Sequence, residues 1–136
     1  MASTSAEASV RAILDHAIGE ERSRRFDLLL AGDMVAHKKP APDIYQLALK
    51  QLAVRPETVL VIEDSRNGLL SATAAGLRCL VTVNGYTKNE DSREAILVVT
   101  SLGDPDGEAT RVLANRSAAR PGTWVTLEDL EACLRS

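Results

Sequence analysis

The run Val59-Leu60-Val61-Ile62 stops abruptly at two carboxylates, Glu63 and Asp64, and a stretch rich in small residues then leads to Gly76. A short apolar run without alternation is how a strand buried on both faces reads. In open α/β sheets the chemistry lies just beyond the carboxyl ends of such strands. A second stretch, Lys38-Lys39-Pro40-Ala41-Pro42-Asp43-Ile44-Tyr45, places a lysine directly before a proline-punctuated helix start. A cation and an acidic pair delivered to one sheet edge suit a site that handles both a phosphate and a metal ion.

The remaining pattern alternates strand and helix. A helix is expected over 7–19, with Val10, Ile13, Leu14 and Ala17 on one face and Gly19 near its end. Residues 26–31 read as a strand ending at Gly32-Asp33. Residues 42–53 read as a helix whose apolar stripe is Ile44, Leu47, Ala48 and Leu52. A strand over 58–62 is followed by a helix over 67–75 whose small side chains let it lie close to a sheet. Cys79–Val83 is the next strand, Ala95–Val99 a short edge strand, and Ser101–Gly122 reads as loop. A last helix begins at Thr126, where Thr126-Leu127-Glu128-Asp129 has the form of a capping box. This order implies one α/β domain, a Rossmann-like parallel sheet flanked by helices.

Composition narrows the function. The 136 residues carry a net charge of -3 with 26% charged residues, so nothing points to a nucleic-acid or membrane surface. No apolar run reaches the roughly 20 residues that span a bilayer. The N-terminus has neither the basic start nor the apolar stretch of a secretory signal, and a cytoplasmic protein is expected. Cys79 and Cys133 follow no metal spacing and read as buried free thiols in preference to a disulfide.

Each candidate residue has a functional and a structural reading. Asp64 is either a ligand for a hard cation such as Mg²⁺ or, with Ser65, a cap for the next helix. Glu63 either supports the metal or is the solvated end of a strand. Lys39 either neutralises a phosphoryl group or a carboxylate, or is solvated; Lys38 reads as a surface charge. Asp43 suits the dipole of the helix it begins, and His16 and His37 have no partner at metal-ligand spacing. Ser3, Thr4 and Ser5 either cap the first helix or hold a phosphate at its N-terminus.

Taken together, these residues resemble the haloacid dehalogenase superfamily of Mg²⁺-dependent phosphatases and phosphomutases, in the subgroup of β-phosphoglucomutase and phosphoglycolate phosphatase. Lys39-Pro40-x-Pro42-Asp43-Ile44-Tyr45 is similar to the family's third motif. Glu63-Asp64-Ser65, with Gly68, Ala72, Ala75 and Gly76, is similar to its fourth, and Ala2-Ser3-Thr4-Ser5 to its second. The resemblance extends to Gly32-Asp33 and Asn84-Gly85-Tyr86.

The resemblance implies phosphate binding by Ser3, Thr4 and Lys39, charge balance at the nucleophile by Lys39, Mg²⁺ held by Asp64 with Glu63, and a small phosphorylated metabolite as substrate. It also implies an aspartyl-phosphate formed on the first Asp of an Asp-x-Asp-x-Thr/Val motif. That motif has no counterpart here. Asp104 and Asp106 have the spacing, but they lack a preceding apolar strand and follow the other motifs. The expected chain is therefore one partial core domain, truncated at its N-terminus without nucleophile strand or cap, and inactive alone. It would pair its exposed sheet edge with a second copy or a complementing N-terminal half, or serve as a non-catalytic relic or interaction module.

Overall fold

The computed structural model describes residues 1–135. At its centre is a four-stranded sheet in the order β1 (Leu60–Glu63), β2 (Arg78–Thr82), β3 (Leu97–Val99) and β4 (Val112–Asn115). β1, β2 and β3 run parallel, with Leu60 opposite Arg78 and Leu80 opposite Leu97; β4 is antiparallel to β3, with Leu97 opposite Asn115. The sheet is therefore mixed, with three of its strands as expected and β4 found in a segment expected to be loop. β4 was hidden because Val112 and Leu113 are both exposed, so the apolar pattern carries no inside and outside. With β4 beside it, β3 is an interior strand and not the edge, which explains why all its side chains are buried.

Strand alternation divides the core between the two sheet faces. Val61, Cys79, Val81 and Val98 pack with Ile44, Tyr45, Leu69 and Ala72 of helices α3 (Asp43–Leu52) and α4 (Arg66–Ala74). Leu80, Leu97 and Val99 pack on the other face with Ala132 and Cys133 of α5 (Leu127–Arg135). Both cysteines are free and buried, as expected. No helix among the described residues is long and apolar enough to cross a membrane.

The N-terminal third departs most from expectation. α1 (Glu7–Ile18) forms and ends at Gly19, whose φ of 81° suits glycine, and the short α2 (Glu20–Ser23) follows. Val10 and Leu14 are buried, but Ile13 is 63% exposed and does not join their face. The expected strand 26–31 is reduced to a parallel bridge between Ala2 and Leu30. Its apolar residues are suited to a ladder, but the neighbouring segment offers it one bridge's worth of bonds, Ser3 N–H to Leu30 carbonyl and Leu30 N–H to Met1 carbonyl (2.9 and 2.8 Å), plus the Met1 ammonium to the Leu28 carbonyl at 2.6 Å. A side chain at Gly32 would overlap the Thr4 backbone, so glycine permits this close crossing.

Candidate active site

Lys39 precedes α3 on a cis Lys39–Pro40 peptide, and its side chain is only 8% exposed. Its ammonium donates to the Ala2 carbonyl at 3.2 Å and to Glu63 Oε1, the last residue of β1. The same oxygen accepts from the Tyr45 hydroxyl, and the Tyr45 ring centroid lies 5.0 Å from the Lys39 ammonium. Burial first, then the negative charge of Glu63, pushes the Tyr45 phenol well above its ordinary range. Burial first, then Glu63, also raises the nearby Cys79 thiol, to about 12. Glu63 is thus neither the solvated end of a strand nor a free ligand: its side chain is 7% exposed, between a lysine and a tyrosine. A Cβ at Gly68 would overlap its carboxylate, so the glycine one turn into α4 makes room for the acid.

The structure also separates the two readings of Asp64. The cap of α4 is Ser65, whose Oγ accepts the Gly68 N–H at 3.2 Å. Asp64 is left exposed at the strand end, and among the described residues its carboxylate makes no hydrogen bond. The capping reading of Ser3, Thr4 and Ser5 is likewise not realised. The residue before α1 is Ala6, with no side-chain cap, and Ser3 Oγ accepts the Ser5 N–H at 3.2 Å in a local turn. Ser3 and Thr4 line the same cleft as Lys38, Lys39, Glu63 and Asp64, a cavity of about 1110 Å³.

Other candidates lie apart or have local roles. His37 is exposed, and both its Nδ1 (3.0 Å) and its backbone N–H (3.2 Å) engage Asp43. The side-chain hydrogen bond from His37 lowers the Asp43 carboxyl below its ordinary range. The structure adds two features that the sequence did not suggest. One is the role of Tyr45, which in the sequence is only the last residue of the lysine–proline motif. The other is a clasp in which Arg66 pairs with Glu94 through both terminal nitrogens, while Glu90 accepts the Arg66 N–H at the start of α4 (2.6 Å).

Mg²⁺ demands near-octahedral oxygen coordination. Among the described residues no three His, Cys, Asp or Glu side chains are grouped to hold a metal ion. With one Glu63 oxygen engaged by Lys39 and Tyr45, Asp64 is the one uncommitted carboxylate of the pair. These residues alone do not fit the ion.

A family profile of haloacid dehalogenase-like hydrolases matches residues 1–76. The chain belongs to that family. It is 43% identical over 109 residues to the protein CbbY of Cereibacter sphaeroides, a match covering 80% of this chain and 47% of that one. It is 46% identical over 63 residues to a phosphorylated carbohydrates phosphatase of Thermotoga maritima, covering 42% of this chain and 29% of that one. The crystal structure of CbbY from Rhodobacter sphaeroides in complex with phosphate superposes with a TM-score of 0.70 at 45% identity, over 74% of this chain and 44% of that one. The chain thus spans about half, or less, of the length of these relatives. The Rossmann-like α/β fold expected from the sequence is the fold found, and the relatives are those of a phosphatase family.

Proposed function

We propose that these 136 residues are the phosphate-positioning part of the core domain of a phosphatase acting on small phosphate monoesters, sugar phosphates among them, through an aspartyl-phosphate. The observation that carries this reading is the Lys39 ammonium, buried at a strand end in a cleft that also receives Ser3, Thr4 and Asp64. A buried cation on a rigid mount stabilises charge that develops on a phosphoryl group without having to reorganise. The hydroxyls of Ser3 and Thr4 supply donors for oxygens that are not transferred. Lys39 balances the charge of the phosphoryl group and of the carboxylate that attacks it. That carboxylate has no counterpart in residues 1–136, so turnover requires an Asp-x-Asp segment from elsewhere. The same segment would bring the further carboxylate that Asp64 lacks for Mg²⁺. The carbohydrate-phosphate relative supports the substrate class.

Isothermal titration with inorganic phosphate tests the positioning role. Lys39→Ala is expected to weaken binding by about tenfold or more, the scale of one charge-assisted contact; equal affinity would remove the basis of the proposal. Hydrolysis of p-nitrophenyl phosphate with Mg²⁺ is expected to be absent in the chain alone. Robust turnover that is lost in both Lys39→Ala and Asp64→Ala would show that the 136 residues suffice. A second reading, a non-catalytic module that self-associates, is favoured by the exposed edge of β1 and predicts a concentration-dependent dimer in sedimentation. A monomer at all concentrations removes it.

A further inference from the structure

β2 and β3 run parallel, so the chain must cross back between them, and such crossings are usually made by a helix packed on the sheet. Segment 84–94 makes this crossing without a helix. Tyr86, its one large apolar side chain, is 97% exposed, and no residue of the segment is buried. Internal bonds give it shape. Asn84 Oδ1 accepts the Tyr86 and Thr87 N–H groups (2.8 and 3.1 Å), and Thr87 Oγ1 accepts the Asn84 N–H at 3.1 Å. Asp91 Oδ1 accepts the Arg93 N–H, also at 3.1 Å. None of these bonds ties the segment to the rest of the molecule.

Attachment comes from one residue. Among the described residues, every hydrogen bond and ion pair that leaves 84–94 ends on Arg66. The Arg66 guanidinium forks onto Glu94 and donates to the Asp91 carbonyl at 2.6 Å, with the Asp91 carboxylate 4.0 Å away. Its backbone N–H donates to Glu90 at 2.6 Å. A fork onto a carboxylate is a geometry that arginine makes and lysine does not. Arg66 opens α4 two positions after Asp64. Asp64, Ser65 and Asn67 line the cleft, and so does Thr82, two positions before the segment begins. We infer that segment 84–94 is a strap on the rim of the cleft, latched by Arg66 alone, that opens as a unit when that residue is removed or its charge is screened. All three charged side chains are partly exposed, so dissolved ions reach the latch. Ser3, Thr4 and Lys39 take no part in it, and the latch stands whether or not the cleft takes phosphate.

Chymotryptic cleavage after Tyr86 reads the latch, because the side chain is already exposed and the held backbone is what resists cutting. At low protease the rate follows the population of the open strap. Each rate is divided by that of a free peptide spanning 83–95, which cancels any effect of salt on the protease. Arg66→Met is expected to speed cleavage about tenfold or more, the scale of a lost charge-assisted pair. Arg66→Lys is expected to fall between that variant and the parent. In the unsubstituted chain, raising salt from about 0.01 to 1 M shortens the screening length from ~30 to ~3 Å and is expected to speed cleavage about threefold or more. Cleavage after Phe26 and Trp124, both partly exposed, is expected to stay unchanged throughout. Equal rates in Arg66→Met and the parent, or a parent rate indifferent to salt, would overturn the inference. So would acceleration at Tyr86 matched at Phe26 and Trp124, since Arg66 would then support the whole fold and not a strap. The salt series needs no substitution, so it decides the matter even if Arg66→Met fails to fold.

Discussion

Lys39, Glu63 and Tyr45 form a unit in which each group makes the next tolerable. Glu63 is buried and would be intolerable there without a counter-ion, and Lys39 is buried and would be equally so without Glu63. Removing one member is therefore costlier than removing the pair. In urea denaturation at neutral pH, Lys39→Met is expected to destabilise by about 3–5 kcal/mol, and Tyr45→Phe by about 1.5–3 kcal/mol through loss of a hydrogen bond to a charged acceptor. Lys39→Met combined with Glu63→Gln is expected to recover much of the first loss. A Lys39→Met variant as stable as the parent would mean that the contact contributes nothing. Lys39 and Glu63 were visible in the sequence as a cation before a helix and an acid ending a strand. Their partnership was not, because they stand 24 positions apart and each has an adequate separate reading. Tyr45 was less visible still: it stood in the motif without a role, and its hydroxyl finds its partner, Glu63, only once α3 lies against β1.

At the scale of elements, α5 shows how local chemistry closes one face of the sheet. Thr126 and Asp129 cap each other: the Thr126 N–H donates to Asp129 Oδ2 at 3.0 Å, and the Asp129 N–H to Thr126 Oγ1 at 3.2 Å. Asp129 also accepts the Arg120 N–H at 2.9 Å, tying the preceding loop to the helix that covers Leu80, Leu97 and Val99. Burial would raise the Asp129 carboxyl, but the hydrogen bonds from Thr126 and Arg120 together outweigh it and hold the group below its ordinary value. A depressed carboxyl contributes stability that is present above its unfolded value of about 3.9 and is lost as pH falls through its folded value. Thr126→Ala is expected to cost about 1 kcal/mol and Asp129→Asn more. The gap between Asp129→Asn and the parent should narrow as denaturation is repeated below about pH 4; a gap unchanged with pH would discard the linkage. This cap was legible because it is local. β1, β2 and the helices α3 and α4 were legible for a related reason, since continuous apolar runs mark the strands and apolar or small-residue stretches mark the helices. β4 and the segment 26–31 were not: the first exposes its apolar residues, and the second has strand residues without enough partner to make a strand.

For the molecule as a whole, the apolar contacts make for an uneven distribution of stability. The sheet with α3, α4 and α5 shares two continuous apolar clusters. The N-terminal part joins them chiefly through Leu30, with Ala2 and Leu28 at the margin, and through the Lys39 contact to the Ala2 carbonyl. The buried residues of α1, Val10 and Leu14, belong to neither cluster. Regions with few shared apolar contacts open at lower free energy than the core that surrounds them. Native-state hydrogen exchange is therefore expected to show the amides of α1 opening at least about 2 kcal/mol more easily than those of β2, whose central residues Cys79, Leu80 and Val81 are buried in the two clusters. If α1 and β2 instead open with the same free energy in the chain alone, the two parts fold as one cooperative unit. The cleft would then be a surface depression and not a seam.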